Sequence, residues 1–168
     1  MTVPAAPSPS TLLADEALCA FVAGGVSVGL ATCDARRRPH VVRVIGVRRD
    51  GERLRLVLPL DLGTAVLDDV ADNGRVAVVF TQPTTHRTFQ LKGSDARAVE
   101  VDEADRAETD RYRRALGADL AAIGWPQAYT DALLDAHDAP LATIAFTPDA
   151  VFVATPGPDA GARMEPGR

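Results

Sequence analysis

Residues 75–93 read RVAVVFTQPTTHRTFQLKG, two strand-like runs flanking a Gln82-Pro83-Thr84-Thr85 turn. Valine, phenylalanine and threonine at short spacing favour extended backbone on both sides of that break, because branched and aromatic side chains fit a pleated surface. The first run, 75–81, is apolar on both faces and is expected at the centre of a sheet. In the second run the two-residue period of a strand puts Thr88, Gln90 and Lys92 on one face, and Phe89 and Leu91 on the other. A polar row of that kind on a barrel wall offers a ligand surface.

Lys92 is the only lysine, against seventeen arginines. A compact ammonium on a flexible stem does different work from a planar guanidinium. The alternative is that Lys92 simply solvates the end of its strand. His86 and Arg87 sit beside the turn, where a histidine at the edge of a site and a solvated turn histidine are both open readings.

Working outward, 26–32 alternates Val26, Val28 and Leu30, 39–48 follows a turn over 34–38, and 52–59 alternates Leu54, Leu56 and Leu58 against Arg53, Arg55 and Val57. Asp50-Gly51 between the last two is a hairpin signal, since tight turns need a residue tolerant of positive φ. The stretch 86–101 reads as one long strand with a bend or bulge at Gly93. The chain closes with 141–146 and 151–154 as a hairpin around Pro148-Asp149. Helices are expected after a Ser10 cap, with Leu13, Ala17 and Phe21 on one side, then over 63–71, from the Asp102 cap to about 116, and over 126–137. Gly117 and Gly124 read as the joint between the last two. The absence of βαβ alternation predicts a mainly β chain, a six- to seven-stranded antiparallel split β-barrel (Greek key) with peripheral helices. Val28, Leu30, Leu56, Val78, Phe80, Phe89, Leu91, Ile144 and Phe146 are its expected core.

A chain of 168 residues fits one domain. Proline, alanine and serine mark 1–9 as a flexible lead-in and 156–168 as a flexible tail, leaving 10–155 as the ordered domain. The formal charge of −5 argues against nonspecific nucleic-acid binding, and the run Arg36-Arg37-Arg38 reads as a solvated turn. No apolar run reaches the ~20 residues of a membrane helix, and no secretory signal is visible at the start, so no membrane partner and a cytoplasmic location are expected. Cys19 and Cys33 lack CxxC spacing, and His40, His86 and His137 form no metal-ligand motif, so no metal is expected.

This order of elements, with RPHVVRVIGV, the Asp-Gly hairpin, ADNGRVAVVF and HRTFQLKG, resembles the pyridoxamine 5'-phosphate oxidase-like family of FMN-binding split barrels over about residues 12 to 153. The resemblance implies a homodimer with flavin in a cleft at the subunit interface. It implies that Arg43 on the second strand holds the flavin phosphate, with Val44 beside it offering backbone groups to the ring, and that Leu58 and Pro59 supply a second contact. Thr64 stands where many members carry a serine, and the lysine that accompanies that serine is not matched. Arg87-Thr88-Phe89 resembles the family's Arg-Gln-Val, with Thr88 in the glutamine position. A phosphate dianion is chemically matched by Arg43, Arg87 and Lys92 with hydroxyls from Thr64 and Thr88, because charged donors make the stronger hydrogen bonds. Pairing of Arg43 and Arg87 with local acids is the competing reading.

Two functions follow from the resemblance. One is an FMN-dependent oxidoreductase, in which the cofactor carries the chemistry and no side chain need serve as nucleophile, acid or base. The other is a non-catalytic split-barrel binding protein that holds haem, a deazaflavin or another small ligand, or no cofactor.

Overall fold

The computed structural model describes residues 12–135 and 139–164. Its strands are β1 (Ser27–Cys33), β2 (Pro39–Arg43), β3 (Gly46–Asp50), β4 (Arg53–Pro59), β5 (Val76–Thr81), β6 (Thr88–Gly93), β7 (Arg97–Val99), β8 (Leu141–Phe146) and β9 (Ala150–Val153). They form two antiparallel sheets, ordered β2-β1-β5-β6-β9 and β3-β4-β8-β7. This is the expected mainly β split barrel. The described residues hold nine strands instead of six or seven because two of the long runs break and change sheet.

The first break falls at Val44-Ile45, inside the run expected as one strand over 39–48. Both side chains are buried, and the chain turns a corner between them. The hydrogen bonds record it. The amide of Val44 donates to Val28 of the five-stranded sheet, at 3.1 Å, and the amide of Ile45 to Val57 of the four-stranded sheet, at 2.8 Å.

The second break is the expected bend after Gly93. A Cβ there would lie 2.5 Å from the Phe146 ring, so only glycine lets the strand pass. The chain then crosses to β7 in the other sheet.

The closing segment is not a hairpin. β8 pairs with β4 and β7, whereas β9 pairs with β6. Pro148 has no N–H to donate to a ladder, and the residues around it carry the chain between sheets. The Asp50-Gly51 hairpin is present, with Asp50 opposite Arg53 and Gly51 at φ 61°.

Four helices are described. α1 (Glu16–Val22) is capped by Asp15, whose carboxylate accepts from the amides of Ala17 and Leu18; the expected cap, Ser10, lies outside the described residues. α2 (Leu60–Asn73) starts three residues before the expected 63 and ends at Gly74, φ 64°. α3 (Glu103–Ala122) opens with a reciprocal capping box between Asp102 and Asp105. It runs through Gly117, which is no joint: its missing side chain admits Gln127, whose Oε1 would lie 2.9 Å from a Cβ there. α4 (Gln127–Leu133) starts after Pro126 as expected and stops short of 137; residues 136–138, which include His137, lie outside the described residues. Past β9, backbone pairing continues into the stretch expected as a tail, with Met164 donating to Val151 at 2.8 Å. The lead-in, 1–9, is not among the described residues.

All nine expected core residues are buried between the sheets. α1 closes one end of the barrel, placing Leu18 and Val22 in the core and Phe21 edge-on to Phe89 at 5.0 Å.

α3 lies across the hairpin of β3 and β4. Arg48 and Arg55 are directly opposite each other in that hairpin, an arrangement that repels on its own. Asp105, fully buried on α3, accepts from Arg48 Nε at 2.8 Å, from Arg55 Nε at 3.0 Å and from Thr143 Oγ1 at 3.0 Å. Burial raises the pKa of this carboxyl, but hydrogen bonds from Arg55, Arg48, the Asp102 amide and Thr143 outweigh burial and hold it at about 2. Farther along α3, burial pushes the Tyr112 hydroxyl pKa up, and the phenol donates to the Val26 carbonyl at 2.7 Å.

The depressed pKa of Asp105 contributes stability that is complete above the ordinary value of 3.8 and is lost as pH falls through about 2. A lowering of this size corresponds to about 2 kcal/mol. Chemical denaturation followed by circular dichroism is therefore expected to show a midpoint that drops steeply below about pH 4. In Asp105→Ala that acid-dependent component is absent. The variant is less stable at neutral pH by about 3–5 kcal/mol, because two arginines lose their buried partner.

Candidate functional site

The outer face of the five-stranded sheet is built by alternation. β1 turns Val28, Leu30 and Thr32 inward and leaves Ser27, Gly29, Ala31 and Cys33 outside. β5 likewise leaves Ala77, Val79 and Thr81 outside. The register then lines up cross-strand rows, Arg43-Gly29-Val79-Gln90 and Val41-Ala31-Ala77-Lys92. Small or apolar side chains run along the middle, with one cation per row, Arg43 at the β2 end of the first and Lys92 at the β6 end of the second. Val41 is 71% exposed, and a Cβ built on Gly29 meets nothing within 4 Å.

Arg43, at the end of β2, is half-buried. Its guanidinium donates to Ser27 Oγ at 3.0 Å, and no carboxylate pairs with it among the described residues. Ser27 is opposite Thr81, and Thr81 is opposite Thr88, so Arg43 and Thr88 reach the same end of this face. Thr88 is buried there and its hydroxyl is used internally, donating toward His86 O and Thr81 Oγ1 at 3.0 and 3.1 Å. The Arg87 guanidinium stacks instead over Phe21 and Phe89, 5.2 and 4.9 Å from the ring centroids. Among the described residues, pairing with local acids, the competing reading for Arg43 and Arg87, is seen for neither.

The remaining expected contacts lie elsewhere. Val44 is buried, and its amide is already bonded to Val28. Leu58 and Pro59 are buried at the end of β4, opposite Ala142 and Leu141 of β8, and Pro59 caps α2. Thr64 is exposed on the first turns of α2, with its hydroxyl turned back to the carbonyls of Leu60 and Asp61 at 3.3 and 3.5 Å. Lys92 is exposed at the far end of the outer face, its ammonium 4.8 Å from the Phe152 centroid. Five residues separate Arg87 from Lys92 along the chain, roughly 16 Å of extended strand. One phosphate on a single protomer does not span them, so Arg43, Arg87 and Lys92 do not form one cluster within the chain.

One group escaped the sequence reading. Asp69, buried on α2, accepts from Thr32 Oγ1 at 2.6 Å and lies 2.8 Å from Nδ1 of the partly exposed His40. The three residues are far apart in sequence, and only the β1–β2 register, which sets Thr32 opposite His40, could have hinted at it. Among the described residues no group of three or more histidines, cysteines or carboxylates could hold a metal ion, and no helix is long and apolar enough to cross a membrane.

Comparison with known proteins adds the family. The sequence profile named pyridoxamine 5'-phosphate oxidase matches residues 14–159. No curated protein matches the chain. Among solved structures, HupZ from Group A Streptococcus is similar at 16% identity, with 87% of this chain and 98% of that one covered and a TM-score of 0.52. That likeness speaks to the fold. An F420 reductase is similar at 19% identity, with 79% and 93% covered and a TM-score of 0.49. A pyridoxamine 5'-phosphate oxidase-related, FMN binding protein from Nostoc punctiforme is similar at 16% identity, with 89% and 82% covered and a TM-score of 0.44. With the profile running from just before α1 to beyond β9, this chain belongs to the pyridoxamine 5'-phosphate oxidase family.

Proposed function

We propose that this chain binds FMN on the outer face of its five-stranded sheet and acts as a homodimeric oxidoreductase on a small-molecule substrate. The observation that carries the reading is Arg43, a half-buried guanidinium with a serine hydroxyl and no carboxylate beside it. Five other arginines, Arg38, Arg48, Arg53, Arg55 and Arg111, each pair with a carboxylate. A charged donor held without an acceptor of equal charge suits a phosphate. The open space above Gly29 lets a flat ring approach the backbone.

In this reading Arg43 and Ser27 hold the phosphate. The hydroxyls of Thr64 and Thr88 contribute less, since both are satisfied within the chain. Bound flavin supplies hydride transfer, and the protein supplies orientation and electrostatics. Dimerisation follows from the β2 edge of the same face, whose exposed Val41 calls for cover; a two-fold pairing buries the same patch twice. The internal bonding of Thr64 and Thr88 and the unmatched lysine favour a second reading, a split-barrel protein that holds haem, a deazaflavin or another small ligand without turnover.

Two measurements test this. FMN titrated into the wild type while flavin fluorescence is followed should bind, and Arg43→Ala should bind about ten- to a hundredfold more weakly, the loss of one charge-assisted hydrogen bond. Folding stability should change little, because Arg43 gives up only a serine hydroxyl. Equal binding by the variant removes Arg43 from the site; no binding by the wild type removes the flavin and leaves the second reading.

Light scattering is expected to report about twice the 17.7 kDa chain mass at micromolar concentration. Val41→Asp, which places a charge on the proposed interface, should shift it toward one chain mass. A monomeric wild type would overturn the dimer.

A further inference from the structure

The end of the outer face opposite Arg43 holds a shallow cavity of about 250 Å³. Ala31 and Ala77, directly opposite each other on β1 and β5, form its floor, and Cys33, Arg75, Val76 and Lys92 surround them. Lys92 is opposite Ala77, and Arg75 precedes Ala77 by two residues. Arg75 and Lys92 are therefore diagonal neighbours, with backbones roughly 7–8 Å apart, close enough for two long side chains to meet over one ligand group.

No carboxylate lines this cavity, and neither Arg75 nor Lys92 has an ion-pair partner among the described residues. Lys92 rests instead against the Phe152 ring, which positions a cation without neutralising it. In a chain with more acids than bases, two neighbouring cations left unneutralised above a small apolar floor match one kind of ligand. It carries a phosphate or carboxylate on a short apolar or flat body.

The site is separate from Arg43. Three strand spacings across the sheet and two residues along it place Lys92 roughly 16 Å from Arg43, beyond the reach of a shared phosphate. We propose that this cavity binds a small organic anion, a phosphate monoester or a carboxylate, at a site distinct from the one Arg43 serves. The proposal needs only the cavity and holds whether or not flavin binds.

Because Lys92 is the only lysine, amine acetylation read by mass spectrometry reports on one side chain, with the N-terminal amine as an internal control. The full-length protein is acetylated with phenyl phosphate, benzoate or neutral benzyl alcohol, each with and without saturating FMN. Phenyl phosphate or benzoate should slow acetylation of Lys92 about tenfold at saturation, benzyl alcohol should not, and the protection should persist with FMN present. In Arg75→Gln, an exposed substitution, protection should require about ten- to a hundredfold more anion. Calorimetric titration of phenyl phosphate into Lys92→Gln should show a loss of the same size. Three results each overturn the proposal: no protection by either anion up to about 10 mM, far weaker than specific small-ligand binding; protection unchanged in Arg75→Gln; or protection by FMN that phenyl phosphate cannot reproduce, which assigns Lys92 to the flavin phosphate.

Discussion

The buried carboxylate of Asp105 is the interaction on which the arrangement of this chain depends. Two arginines face each other across the β3–β4 hairpin, and Asp105 from α3, with Asp102 beside it, offsets their repulsion. The same carboxylate takes the hydroxyl of Thr143 on β8, so one side chain joins α3 to three strands of the four-stranded sheet. The gain depends on completeness: a buried charge is tolerable when every lone pair is engaged and costly when a partner is removed.

Once anchored there, α3 reaches the other sheet. The Tyr112 hydroxyl ties it to Val26 just before β1, and Gly25 passes so close that a Cβ would lie 2.3 Å from the Ala115 carbonyl oxygen. Near its end, Asp119 accepts from the amide and hydroxyl of Thr84 in the β5–β6 turn. The helix thus spans from one sheet to the other on the flank of the barrel and leaves the outer face of the five-stranded sheet free for a ligand or a second chain. The charge pattern follows that division. Arg48, Arg55 and Arg111 at the α3 contact are paired with acids, whereas Arg43, Arg75 and Lys92 on the outer face have no acid partner among the described residues.

Much of the fold is legible because strand period and turn chemistry are local. The alternation in β1 and β4, the two-sided apolar run of the central β5, the Asp50-Gly51 hairpin, the bend at Gly93 and the capping box of α3 each arise within a few residues, and every expected core residue is buried. The site is less legible. Arg43, expected from the resemblance at a phosphate, lies at one end of the outer face, but Arg87 and Lys92 do not gather round it, since five residues of extended chain lie between those two. The contact of Thr32, Asp69 and His40 joins β1, α2 and β2 and leaves no mark in any short window.

The sequence by itself determined the class of the fold, the core residues of β1, β4, β5, β6 and β8, and the residues available for chemistry, because these follow from periodicity and side-chain type. Tertiary structure alone decided which strands share a sheet. Val44 and Ile45 are adjacent yet bond to different sheets, because the acceptor of each amide, Val28 for one and Val57 for the other, lies on a distant segment that no local pattern specifies. The same packing decided which cations stay unpaired. Whether an arginine meets an acid depends on what the opposite wall presents, and a wall assembled from Arg48, Asp105 and Thr143 exists only after the chain has closed on itself.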